Sequence, residues 1–107
     1  MELVERHRAE IEAACKRFAV RRLEVFGSAT GTDFEEHSSD VDFLVEFEGQ
    51  AAPNLFDRYF GLSERLTEIL GRKVDLVTLG ALRNPYFIEA VNRTRRLLYA
   101  SQSAQTA

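Results

Sequence analysis

Hydrophobic residues recur at helical spacing in two stretches of the chain. The first stretch covers residues 2–19 and carries glutamate and arginine on its other face, so it predicts an amphipathic helix. The second begins near Leu55 and stops at Gly71, a residue type that often ends helices. Asn84 and Pro85 predict the start of a third helix, because proline fits the first helical turn.

Three shorter segments, RRLEVF, DVDFLVEF and KVDLVTL, have the composition or the alternation of strands. The second places its valines and phenylalanines on one face, and we expect the first two to be interior strands. RRLLYA near the C-terminus is compatible with a last short strand or with a helical extension. Helices that alternate with short strands indicate an α/β fold, a small mixed sheet of about four strands packed with helices. The order of the strands does not follow from this pattern.

The length of 107 residues fits one domain, which we expect to occupy residues 1–100, with a disordered tail over 101–107. The formal net charge of −3 argues against a surface that coats nucleic acid, so no direct nucleic-acid binding is expected. No apolar run could span a bilayer, and the charged N-terminal segment is unlike a signal peptide. The single cysteine, Cys15, excludes an internal disulfide and fits a core position. These features predict a cytoplasmic protein.

Two acids, Asp40 and Asp42, stand at the head of the second strand. Residues two apart on a strand point the same way, so both carboxylates can converge on the same cations. Oxygen ligands favour Mg²⁺ or Mn²⁺ over zinc. The pattern Asp-x-Asp is also common without function, in which case Asp40 is a turn or cap residue and Asp42 an exposed strand position.

Asp75 interrupts a third strand of otherwise high propensity, where an unpaired buried carboxylate would be costly. If this strand lies beside the second, Asp75 completes a cluster of three carboxylates; otherwise it pairs with Arg72 or Lys73. Gly27 and Ser28 directly follow the first strand, where backbone N–H groups and a hydroxyl can hold phosphate. By itself, Gly-Ser more often marks a structural turn.

Together, GSATGTDFEEHSSDVDFLVEF and the later KVDLVTL resemble the nucleotidyltransferase superfamily related to DNA polymerase beta. The whole chain is similar to the minimal nucleotidyltransferases, prokaryotic proteins of this size that lack substrate domains. The resemblance implies that Gly27 and Ser28 hold nucleotide phosphates. It implies that Asp40 and Asp42 bind the metals, two Mg²⁺ ions or else Mn²⁺. Asp75 would join this metal cluster and help to activate the acceptor hydroxyl, which makes all three acids catalytic.

The resemblance also implies a partner, because many of these proteins are antitoxins encoded beside a HEPN RNase toxin. The expected function is metal-dependent transfer of a nucleoside monophosphate, AMP from ATP or the equivalent from another nucleoside triphosphate, to a hydroxyl of this toxin, in a homo-oligomer or hetero-oligomer. The alternative is a catalytically weak nucleotide-binding antitoxin that neutralises its partner by direct binding. Many relatives have an arginine soon after Gly-Ser, where this chain has Ala29-Thr30-Gly31, and this departure favours the alternative. Arg21, Arg22 or a side chain of the partner could substitute for that arginine.

Overall fold

The computed structural model describes residues 2–26, 41–49, 54–78 and 83–101. In chain order these ranges form α1 (Glu2–Arg6), α2 (Arg8–Arg17), β1 (Val20–Phe26), β2 (Val41–Phe47), α3 (Leu55–Leu70), β3 (Val74–Thr78), α4 (Pro85–Thr94) and β4 (Arg96–Ala100). The predicted α/β class is confirmed, and the C-terminal segment RRLLYA forms a strand rather than a helical extension.

The described strands form one sheet in the order β3-β2-β1-β4. β1 pairs antiparallel with both β2 and β4, whereas β2 pairs parallel with β3, so the sheet is mixed. β1 and β2 are interior strands, as their sequences predict. Because parallel neighbours need a crossover connection, α3 carries the chain from the end of β2 back to the start of β3.

The main core lies between one face of the sheet and helices α2 and α3. Ile11 and Cys15 of α2 and Leu62 of α3 are fully buried and belong to one cluster with Phe43 of β2. The alternation in β2 therefore points its valines and phenylalanines at this core, as predicted. Burial raises the pKa of the Cys15 thiol to about 12, and the nearby Glu12 carboxylate adds to this effect. The thiol stays protonated and acts as a small apolar core residue.

Helix α4 covers part of the opposite face of the sheet. Val91 of α4 packs with Phe26 and Leu44 in a second, smaller buried cluster. Leu44 is thus buried although it lies on the face where β2 otherwise carries polar residues. Asp42 and Glu46, on either side of it, are only half-buried. This face of the sheet is therefore buried beneath α4 and partly accessible to solvent toward both ends of β2.

The single helix predicted over residues 2–19 is wrong in one respect, because the chain forms two helices that meet at His7. The backbone of His7 has φ −107° and ψ 16°, outside the helical range. Its N–H donates to the carbonyl oxygen of Val4 at 3.2 Å, a tighter turn than an α-helix makes. The second helix ends at Arg17, and Ala19, with φ +55°, turns the chain into β1.

Arg58 of α3 fastens three backbone segments to one another. It is 8% exposed, and its guanidinium donates to the carbonyl oxygens of Glu48 at 2.8 Å, Gly49 at 3.3 Å and Ala19 at 3.4 Å. The same guanidinium lies 5.4 Å from the centre of the Phe47 ring. These contacts hold the first turn of α3 against the end of β2, where the crossover begins.

The C-terminal end of α3 is where the sequence predicts it. Gly71 has φ +67°, a left-handed conformation that glycine adopts without steric cost, and its N–H donates to the carbonyl oxygen of Thr67 at 2.8 Å. Within the helix, a Cβ at Gly61 would lie 2.5 Å from Cε1 of Phe18. Glycine at this position allows the close approach of α3 to the end of α2.

The described helices are too short or too polar to cross a membrane, and the longest, α3, has 16 residues.

At the C-terminal end of the described residues, the N–H of Ser101 donates to the carbonyl oxygen of Arg21 at 2.8 Å. Residues 102–107 of the tail predicted to be disordered lie outside the described ranges.

Candidate active site

Asp42 and Asp75 lie side by side on neighbouring strands. They are register partners in the parallel β2–β3 pair, so their backbones are one strand spacing apart, about 4.8 Å. Phe43, Val74 and Leu76, which flank them in sequence, all point into the main core. Both carboxylates therefore leave the sheet on the opposite face. The expectation that the strand of Asp75 lies beside that of Asp42 is confirmed.

The two carboxylates border an open cleft of about 460 Å³ at the β3 side of the sheet. Its described walls are formed by residues from β1, β2, α3 and β3, namely Phe26, Asp42, Tyr59, Phe60, Ser63, Val74, Asp75, Leu76 and Val77. Phe26, the last residue of β1, is the register partner of Asp42. Gly27, Ser28 and Asp40, the remaining predicted site residues, lie outside the described ranges.

Asp75 is exposed and Asp42 is half-buried. The cost of burying a carboxylate is therefore not a reason to assign a ligand to Asp75, and that part of the sequence argument is wrong. The other reading of Asp75, as the ion-pair partner of Arg72 or Lys73, is not found among the described contacts. What remains is the proximity of two acids on neighbouring strands, whose combined negative charge a bound cation would neutralise.

The donor set at this position fits a hard divalent cation. Asp42 and Asp75 offer oxygen ligands only, the ligands that Mg²⁺ and Mn²⁺ prefer. Within the described ranges, no three His, Cys, Asp or Glu side chains come close enough to hold a metal together. The third predicted ligand, Asp40, is not among those residues. Asp42 and Asp75 would thus supply part of a metal site, in which Asp40 is the expected further ligand.

Two arginines that could replace the missing cationic contact are already paired. Nε of Arg21 lies 3.2 Å from a carboxylate oxygen of Glu46, and Nε of Arg22 lies 3.0 Å from one of Glu24. Both arginines also precede Phe26 by at least four residues, or about 13 Å along β1. The suggestion that either one holds the nucleotide's terminal phosphates is not supported by this geometry.

An ion pair that sequence reasoning missed joins buried Glu24 of β1 to the partly exposed Arg95, the residue between α4 and β4. Glu24 is 3% exposed and accepts two hydrogen bonds from Arg95, at 2.6 Å from Nε and 2.5 Å from Nη2. Burial acts to raise the pKa of Glu24, but the hydrogen bonds and charges of Arg95 and Arg22 outweigh it and hold this pKa below its ordinary value. Arg95 therefore serves the fold rather than a phosphate. The available signal was an acid between Leu23 and Val25 in an interior strand.

Three side chains of α3, Tyr59, Phe60 and Ser63, line the cleft. Sequence reasoning did not predict this contribution of α3. Phe56 and Phe60 are 71% and 53% exposed, with ring centres 4.5 Å apart, so neither is a core residue. Of the two, Phe60 lines the cleft, together with Tyr59 and Ser63. Tyr59 also packs against the main core, and its hydroxyl donates to the backbone carbonyl oxygen of Leu76.

Known proteins match the chain over most of its length. The family model named nucleotidyltransferase domain matches residues 8–98. A candidate protein adenylyltransferase of Methanocaldococcus jannaschii is 41% identical over 76 residues, which are 70% of this chain and 73% of that protein. The protein adenylyltransferase MntA of Thermococcus cleftensis is 40% identical over 78 residues, which are 73% of this chain and 72% of that protein.

Solved structures share the fold. The structure of a candidate minimal nucleotidyltransferase aligns with a TM-score of 0.71 at 29% identity and covers 89% of this chain and 92% of its own. A chain from the complex of a tri-AMPylated Shewanella oneidensis HEPN toxin with its MNT antitoxin aligns with a TM-score of 0.62, covering 95% of this chain and 76% of its own. At 17% identity, this second likeness is evidence for the fold alone.

Proposed function

The chain belongs to the nucleotidyltransferase domain family, and on this basis we propose that it transfers AMP from ATP to a hydroxyl group of a HEPN-domain toxin and so acts as its antitoxin. Family membership confirms the resemblance found in the sequence and makes the protein a nucleotidyltransferase. Relatives named protein adenylyltransferases support AMP as the transferred group. The solved complex with an AMPylated HEPN toxin supports the class of partner.

The single observation that carries the proposal is the register pairing of Asp42 with Asp75 beside an open cleft. With Asp40, these acids would hold two Mg²⁺ ions, or Mn²⁺ in their place. Bound there, the ions would neutralise charge on the phosphates of ATP and on the leaving pyrophosphate. Gly27 and Ser28 would hold the phosphates through backbone N–H groups and a hydroxyl.

Asp75 has the role of general base in this proposal. As the acceptor oxygen forms its bond to the α-phosphorus of ATP, the bond from that phosphorus to the β-phosphate oxygen breaks and pyrophosphate leaves. The carboxylate of Asp75 takes the proton that the acceptor hydroxyl loses. Because Asp75 is exposed at an open cleft, a hydroxyl on the surface of another protein can reach it. Such an acceptor makes a hetero-oligomer with the toxin the expected assembly, in the cytoplasm where ATP is available.

The second candidate function is a catalytically weak antitoxin that binds nucleotide and neutralises its partner by contact. The observation that favours it is that Arg21 pairs with Glu46 and Arg22 pairs with Glu24. Neither arginine therefore replaces the one that many relatives have soon after Gly-Ser. Both functions predict binding of the toxin, so binding alone does not separate them.

The experiment that tests the proposal compares ATP labelled at the α-phosphate with ATP labelled at the γ-phosphate, each incubated with this protein, Mg²⁺ and a HEPN-domain toxin from the same source. Transfer of AMP predicts label on the toxin only from the α-position, with one pyrophosphate released per label. Inhibition of the toxin's RNase activity without label or pyrophosphate would instead establish the binding antitoxin.

A further inference from the structure

Tyr59 is hydrogen-bonded to the strand that carries Asp75. Its hydroxyl donates to the backbone carbonyl oxygen of Leu76, the residue that follows Asp75 on β3. The ring of Tyr59 packs against the main core and meets the Phe60 ring edge-on at 5.2 Å between centres. These contacts fix the position from which the hydroxyl acts.

Asp75 needs such support because its side chain has no anchor of its own in the described part of the chain. It is exposed, and its carboxylate forms no hydrogen bond or ion pair with another described residue. Among the described residues, it is therefore the backbone of β3 that places the carboxylate. In the described sheet, β3 is an edge strand that pairs only with β2. A strand held on one side opens more readily than an interior strand, so a hydrogen bond from α3 on its other flank adds a second support.

We propose that Tyr59 is a positioning residue for Asp75. Its hydroxyl holds β3 in place beside β2, so that Asp75 stays opposite Asp42 when the acceptor approaches. The catalytic part of this inference rests on the proposed AMP transfer. Catalytic groups must be held within about 0.5 Å of their productive geometry, so a looser β3 slows transfer without removing any group that contacts ATP.

The test removes only the hydroxyl, in the variant Tyr59→Phe. We expect its transfer rate at saturating ATP to fall about 10- to 100-fold, the range that misplacement of a reacting group by up to about 1 Å produces. The dissociation constant for ATP should stay unchanged. Tyr99→Phe is the matched control, because it removes the same hydroxyl from β4, at the opposite edge of the described sheet. It should transfer AMP at the wild-type rate.

Two further measurements distinguish positioning from a general structural effect. In the Asp75→Asn background, Tyr59→Phe should cause no further loss of rate, because its effect passes through Asp75. Amide hydrogen exchange over Val74–Val77 should be faster in Tyr59→Phe than in the wild type or in Tyr99→Phe.

Unchanged exchange in β3, or an equal loss of rate with and without the Asp75 carboxylate, would overturn the inference. A wild-type protein that transfers no AMP would contradict the proposed function and, with it, the part of the inference that links Tyr59 to the transfer rate. In that case the exchange data still decide whether its hydroxyl supports β3.

Discussion

Asp42 and Asp75 are register partners across the parallel pair of β2 and β3, and both side chains leave the sheet on the face opposite its main core. This relationship depends on the register, because successive side chains of a strand point to opposite faces. A slip of β3 by one residue would turn Asp75 into the core and bring Leu76 out of it. The buried positions of Val74 and Leu76 therefore fix the placement of the acid between them.

The first prediction concerns the metal. Asp42→Asn and Asp75→Asn should each weaken binding of Mn²⁺, measured by calorimetry, by about 10-fold or more, because each removes a charged oxygen ligand. Asp57→Asn is the matched control, since Asp57 is an exposed acid on α3 outside the cleft lining. Unchanged Mn²⁺ affinity in the double variant of Asp42 and Asp75 would show that these two acids do not bind the metal.

The second prediction concerns the ion pair between buried Glu24 and the partly exposed Arg95. Because the pKa of Glu24 is lowered in the folded protein, the pair stabilises the fold above the unfolded pKa of 4.5, and this stability is lost as the pH falls through the folded pKa. Glu24→Gln should lower the free energy of unfolding at pH 7 by about 1 to 3 kcal/mol.

Urea unfolding at several pH values checks this prediction. The difference between wild type and Glu24→Gln should narrow as the pH falls below the unfolded pKa of 4.5. A difference that stays constant down to acid pH would mean that packing, rather than the charge of Glu24, stabilises this part of the sheet.

Local patterns were sufficient to predict most elements of the fold. The alternation in β2 placed Asp42 on the face away from the core, since a half-buried strand has only one register that buries its apolar side. Gly71 likewise marked the end of α3, because a left-handed residue follows so many helices. The break at His7 was not predicted, because the apolar spacing continues through it.

Contacts between distant parts of the chain could not be read from these patterns. Glu24 and Arg95 are 71 residues apart, and the local sequence around either residue does not indicate the other as its partner. The adjacency of β2 and β3 depends on how α3 packs against the sheet, which local patterns do not show. From the sequence, the pairing of Asp75 with Asp42 could therefore be predicted only on the condition that the two strands are neighbours. The exposure of Asp75 was also missed, because the high strand propensity around it suggested a buried carboxylate.

The third prediction concerns Arg58, which lies near the start of α3 and donates hydrogen bonds to three backbone carbonyl oxygens of other segments. Arg58→Lys keeps the charge but loses the planar fork of donors, and it should lower the free energy of unfolding by about 1 to 3 kcal/mol. Arg65→Lys, on the same helix, is the control, because Arg65 makes only a 3.8 Å ion pair with the exposed Glu68. Equal denaturation midpoints for the two variants would show that the hydrogen bonds of Arg58 add no stability.

The fourth prediction isolates the chemical role of Asp75. Because this side chain is exposed and forms no ion pair with another described residue, Asp75→Asn should change the free energy of unfolding by no more than about 0.5 kcal/mol. ATP should still bind, since Gly27, Ser28 and the other acids are unchanged. A large loss of transfer would then reflect the loss of the Asp75 carboxylate as general base and metal ligand rather than loss of the fold.

The most direct measurement is the initial rate at which AMP from α-labelled ATP appears on the HEPN toxin, compared between wild type and Asp75→Asn at matched ATP occupancy. A general base contributes about 10²- to 10⁴-fold, and the lost metal ligand adds to the defect, so we expect a fall of at least about 10²-fold for Asp75→Asn and none for the control Asp57→Asn. Transfer by Asp75→Asn at the wild-type rate would contradict the proposed mechanism, because Asp75, the register partner of Asp42, would then have no role in the reaction.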